Sequence, residues 1–203
     1  WKTQFDNAKT EEMPFYRPGG SSVDVPMMRQ KAEFKVYQGS GFVLAEFPYG
    51  QGNFVMDVIL PDSPDGINNL IRSVGENFTG WVSQMKNRET DLYFPRFKYA
   101  FKKKLKDVLT DMGMGIAFRD GADFSSISEE YDLLINDVTH QAFIETNEEG
   151  TEAAAATIVE IGGTSAPPPP FELKLDHPFI YIIRESTTNS ILFMGRITDP
   201  SVN

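Results

Sequence analysis

Three apolar stretches lie almost end to end in this chain: EFKVYQ (33–38), FVLAEFPY (42–49) and NFVMDVILP (53–61). Their aromatic and β-branched side chains suit a pleated surface. Only Gly39-Ser40-Gly41 and Gly50-Gln51-Gly52 separate them. A parallel return needs a crossover of about a dozen residues or more, so links this short leave only hairpins. The chain must therefore build an antiparallel meander here, with few exposed positions.

Further strand-like segments follow. LYFPRFKYA (92–100) carries Pro95, which belongs at an edge or a bend because proline cannot donate to a ladder. LLINDVTHQAFIET (133–146) mixes apolar and polar residues on both faces and reads as one long strand near the middle of a covered sheet. FELKL (171–175), HPFIYIIRE (177–185) and SILFMGRI (190–197) come last, with a Thr-Thr-Asn turn at 187–189 joining the final two. Helical spacing predicts short helices over Ile67 to Val74 and Asn77 to Met85. It predicts a clearer one over 101–112, where Phe101, Leu105, Val108, Leu109 and Met112 share a face. Gly113 would end that helix. The fold class is α+β, dominated by mostly antiparallel sheets with peripheral helices.

Composition then removes whole classes of chemistry. A formal charge of −10 opposes a nucleic-acid partner, because phosphate neutralisation needs a basic surface. The one basic cluster, Lys102, Lys103, Lys104 and Lys106, reads as a solvated helix face. The chain has no cysteine, so disulfides, thiolate zinc and a cysteine nucleophile are out. No apolar run approaches the roughly 20 residues of a membrane helix, which argues against a membrane partner. The opening WKTQFD, without an initiator Met or a leader, reads as a start that is missing or processed. There is no Walker loop, dinucleotide fingerprint or His pair at metal spacing, so no cofactor and no metal is expected. Of the two histidines, His140 stands three residues from Asp137, and on a strand that puts them on opposite faces. A hydrolase built on His140 is therefore set aside and His140 reads as a core histidine, while His177 reads as loop. Asn77-Phe78-Thr79 has the form of an N-glycosylation sequon.

The segment NEEGTEAAAATIVEIGGTSAPPPP (147–170) fits no ordinary element. Four alanines favour helix, Thr157-Ile158-Val159 favour strand, and Gly162-Gly163 favour neither. As a strand, it would line one face with Thr151, Ala153, Ala155, Thr157, Val159 and Ile161. Glu152, Ala154, Ala156, Ile158 and Glu160 would share the other. Its first face is wholly small or β-branched, able to slip between existing strands, and Gly150 can absorb a hinge rotation.

These residues carry a family resemblance. GTEAAAAT (150–157) resembles the proximal hinge of a serpin reactive-centre loop, and HPFIYIIRE with ILFMGRITDP (177–185 and 191–200) resembles the C-terminal signature strands of that family. ETNEEG (145–150), GADF (121–124) and VPMM (25–28) also sit where serpins have similar words. The resemblance runs through residues 1–203 and implies the C-terminal portion of a serpin domain. Trp1 would correspond to the tryptophan at the top of the central sheet, and the N-terminal part of the same serpin would be required for a complete fold.

The resemblance implies a suicide inhibitor rather than an enzyme. The reactive-centre loop would span about 148–170, with Glu148 as the hinge acid paired to Arg96 near Trp1. Gly150, Thr151, Ala153, Ala155 and Thr157 would be the hinge positions. Family spacing from Glu148 places the cleaved bond at Thr164–Ser165. Counting back from Pro178 gives another position, since Pro167 to Pro170 lengthen the far side, but cleavage before a proline is disfavoured. No Lys, Arg, Phe, Tyr or Met occurs from Gly150 to Pro170, which points to an elastase-like or subtilisin-like serine protease. The resemblance implies that it would be held as a covalent acyl complex, in an extracellular, secreted setting. The alternative is a non-inhibitory carrier, chaperone or storage protein, whose hinge would tend to lose the small inner positions kept here.

Overall fold

The short glycine links dictate what the chain builds first. β2 (Ser22–Gly39), β3 (Phe42–Tyr49) and β4 (Phe54–Pro61) are antiparallel neighbours, with Gly39 opposite Phe42 and Tyr49 opposite Phe54. Gly41 and Gly52 turn the two links at φ +84° and +93°, a region costly for any side chain. The computed structural model describes residues 1–128, 130–149 and 169–202.

β2 runs for 18 residues. Its first part pairs with β1 (Glu11–Tyr16), and most of its remainder with β5 (Lys86–Pro95). β9 (Phe179–Glu185) lies antiparallel to β4, and β10 (Ile191–Ile197) to β9. β8 (Phe171–Lys174) closes the other edge, parallel to β5. The strand order is β10-β9-β4-β3-β2-β5-β8, with β1 also on β2.

Residues 67–85, expected as two helices, form one: α1 (Ile67–Ser83). Gly75 and Gly80 each cost about 1 kcal/mol relative to alanine. Ile67, Leu70, Val74 and Phe78 nevertheless keep one register, and they bury together against Phe42, Leu44, Ile59, Ile180 and Ile182. Packing along a continuous stripe outweighs local propensity. Among the described residues no helix is long and apolar enough to cross a membrane.

Farther along that same sheet face the apolar stripe gives way to charge. Arg184, 1% exposed, donates to Asp57 (Nε–Oδ2 2.6 Å) and Glu46 (Nη2–Oε2 2.6 Å). Lys35 reaches Glu46 at 2.8 Å and balances the second carboxylate. Burial pushes the Asp57 carboxyl up to about 6, against the pull of Arg184. His177, expected as loop, is half-buried with both ring nitrogens facing acceptors: Asp176 Oδ1 at 2.8 Å and the Pro61 carbonyl at 2.6 Å. Burial opposes its charge, but the Asp176 and Pro61 hydrogen bonds outweigh it and raise its pKa.

The chain divides into two units: Trp1–Phe97 with Glu145–Asn203, and Lys98–Ile144. The second unit departs most from expectation. Residues 101–104 belong to β6 (Phe97–Lys104), which pairs with β7 (Thr139–Thr146), and only α2 (Lys106–Leu109) is α-helical within 101–112. Phe97, Tyr99 and Phe101 also alternate at the period of a strand, and pairing with β7 decides between the two periodicities. The lysines at 102–104 are thus on a strand, where Lys104 pairs with Asp137 at 2.7 Å. The long strand expected over 133–146 begins only at Thr139. Before it, the Ile135 N–H donates to the Ala117 carbonyl at 2.9 Å instead of a ladder partner. Within the unit Phe143 is 58% exposed. His140 is exposed rather than in a core, its ring 6.2 Å from that of Phe101.

Candidate functional site

The end of β7 leads to Glu148, a carboxylate only 2% exposed. A charge this deep must be paired and hydrogen-bonded, and Glu148 is both. Arg96 stands just beyond Pro95, where the β5 ladder ends. It is aimed by its own backbone N–H, which donates to the Pro26 carbonyl at 2.8 Å. Its guanidinium grips both oxygens: Nε lies 2.8 and 2.7 Å from Oε1 and Oε2, and Nη2 2.5 Å from Oε1. The Thr10 hydroxyl donates to Oε1 as well. Burial alone would raise the Glu148 pKa, but the Arg96 and Thr10 hydrogen bonds outweigh it and hold the carboxyl below its usual range.

The backbone around Glu148 is held as firmly as its side chain. The Trp1 indole N–H donates to the Asn147 carbonyl at 2.9 Å, the Phe5 N–H to the Glu148 carbonyl at 3.2 Å, and the Gln4 amide to the Glu149 carbonyl at 2.9 Å. Three successive carbonyls are therefore taken by residues 1–5. Trp1 can serve because it is fixed itself: it is 4% exposed, stacks on Tyr49 at 4.7 Å, and meets Phe5, Phe47 and Phe94. The structure thus brings Trp1, Arg96 and Glu148 together. Gln4, Phe5 and Thr10, which sequence reasoning missed, complete the clamp. They are 138 and more residues from their partners, and nothing local marks them.

The far flank of the segment is held too. After Pro169 and Pro170, β8 pairs Phe171 with Thr90 and Lys174 with Tyr93 of β5. The Arg88 guanidinium lies 4.1 Å from the Phe171 ring centroid, and Leu175 is fully buried. β5 therefore anchors both flanks, one along its length and one just past its end. The hinge residues Gly150, Thr151, Ala153, Ala155 and Thr157, and the expected bond at Thr164 and Ser165, lie outside the described residues.

Glu148→Lys tests the clamp. The lysine would stand beside Arg96 at a position only 2% exposed, where an unpaired charge costs on the order of several kcal/mol. In the full-length protein the expected result is release of the backbone at 147–149 and loss of monomer, read on size-exclusion chromatography at physiological temperature. Monomer content and stability equal to wild type would count against the clamp.

A model of the family described as serpin (serine protease inhibitor) matches residues 1–200. Serpin B4 from Homo sapiens is 38% identical over 205 residues, which cover 98% of this chain and 53% of that protein. Iripin-3 from Ixodes ricinus is 35% identical over 200 residues, covering 97% of this chain and 51% of its own. The solved structure of uncleaved ovalbumin superposes with a TM-score of 0.85 at 32% identity, over 98% of this chain and 51% of that one. The chain spans about half the length of the curated relatives it matches.

Proposed function

The chain belongs to the serpin family, and from that premise we propose that it carries the reactive loop of a suicide inhibitor of serine proteases. One observation supports this reading above the others. The buried, clamped Glu148 sits immediately ahead of a segment whose inward face would hold only small or β-branched side chains. A fixed pivot followed by insertable sequence is what loop insertion needs.

In this reading the protease serine attacks the Thr164 carbonyl. The peptide bond to Ser165 breaks, and an ester joins Thr164 to the enzyme. The freed segment then enters the central sheet as a new strand, pivoting beyond Glu148, before water cleaves the ester. The inhibitor supplies no acid, base or nucleophile. Its contribution is a conformational change faster than deacylation.

The proposal is tested with the full-length protein and an elastase-like protease. A complex that survives SDS is expected, and clean turnover of the loop would overturn the inhibitory reading. Thr164→Arg should redirect inhibition toward trypsin-like enzymes, because the primary pocket would then receive a basic side chain. Sequencing the cleaved loop checks this independently: a cut after Ile161 would remove Thr164 from the role while leaving the mechanism standing.

A further inference from the structure

The sequon Asn77-Phe78-Thr79 lies within α1, and its three residues face two environments. Phe78 is buried on the core stripe, 7% exposed, while Asn77 and Thr79 are exposed. Phe78 therefore fixes the rotation of the helix that keeps Asn77 outside. Among the described residues the surface beside Asn77 is bare. One turn back stands Ser73, a small residue, and three residues on stands Gly80, where a Cβ would meet nothing within 4 Å. The bulky neighbour at the next turn, Trp81, is directed inward onto Phe42, with ring centroids 4.4 Å apart.

We propose that Asn77 accepts an asparagine-linked glycan when the chain passes through a eukaryotic secretory pathway. The co-reactant is an oligosaccharide carried on a polyprenyl pyrophosphate. Its anomeric carbon forms a bond to Asn77 Nδ2, the sugar–oxygen bond breaks, and the pyrophosphate leaves with the electron pair. Nδ2 gives up one of its two protons to a base of the transferring enzyme. The remaining N–H is enough to keep the hydrogen bond that Nδ2 makes to the Ser73 carbonyl at 3.0 Å. The folded helix therefore needs no rearrangement to hold the modified residue, and the glycan projects into open space.

The experiment is expression of the full-length protein behind a secretory leader in mammalian cells, with a second sequon in an appended flexible tail as internal control. Lysate and medium are treated with peptide N-glycosidase and the tryptic peptide containing Asn77 is sequenced by mass spectrometry. Asn77 should read as Asp after the enzyme. The glycan should vanish in Asn77→Gln and in Thr79→Ala, and return in Thr79→Ser. A glycosylated tail beside an unmodified Asn77 would overturn the proposal, as would a glycan at Asn77 that Thr79→Ala leaves in place. Loss of protease inhibition plays no part in the readout, so the two proposals fail separately.

Discussion

Under the inhibitory reading proposed above, Thr157→Arg in the full-length protein is expected to turn it into a substrate that the protease cuts and leaves. In the proposed mechanism inhibition is a race between insertion and deacylation. In that reading strand alternation would put Thr157 on the face that enters the core and Glu152 on the face that stays outside. An arginine at 157 would carry an unpaired charge into low dielectric, where the effective penalty is several kcal/mol even after relaxation. If about 3 kcal/mol of that reached the insertion barrier, insertion would slow by over a hundredfold. Deacylation would then win. Glu152→Arg should do far less, since its side chain stays near solvent. The measurement is the ratio of inhibitor to protease needed for complete inhibition, rising steeply for Thr157→Arg and little for Glu152→Arg. Equal effects, or the reverse order, would show the strand register to be wrong.

The second large effect is expected at Arg184. Replacing it with leucine leaves Asp57 and Glu46 buried beside a single remaining cation, Lys35. Removing one partner from a buried ion pair costs roughly 3–5 kcal/mol, because the other charge is stranded. The loss should depend on pH. The folded Asp57 pKa is already raised to about 6, above its unfolded value, so its ionisation in the folded state costs stability as pH rises through that interval. Without Arg184 the shift grows. Urea midpoints of Arg184→Leu should therefore fall further below wild type at about pH 8 than at about pH 5. Replacing Asp57 and Glu46 with leucine in the same variant should recover much of the loss. A midpoint unchanged at both pH values would show that the cluster does not hold this face of the sheet together, and a loss independent of pH would show that Asp57 ionisation is not what the missing Arg184 exposes.

The local elements were legible in the chain itself. Glycine links of three residues admit only hairpins, so the β2-β3-β4 meander needed no tertiary information. The β9-β10 hairpin was equally readable, its Asn189 holding the positive φ of +59° that asparagine tolerates at a turn. The apolar stripe of α1 was readable too, apart from the glycines that made one helix look like two. The family and the pairing of Arg96 with Glu148 also came from sequence, through resemblance rather than periodicity. The hinge face and the Thr164–Ser165 bond rest on sequence still.

What only the tertiary structure decided involves partners far apart. Residues 101–104 satisfy both a helical and a strand period, and only the presence of β7 settles which applies. His140, read as core from the sequence, is exposed in this chain, which spans about half the length of its relatives; burial depends on what packs over a strand and not on the strand itself. β8 is parallel to β5 and β1 doubles back on β2, choices that no local preference encodes. The clamp shows the limit most clearly. Gln4, Phe5 and Thr10 reach residues 148 and 149 across 138 residues or more. A hydrogen bond between groups this far apart in the chain leaves no periodicity, propensity or spacing behind, so it exists only once the sheet has brought both ends to the same place.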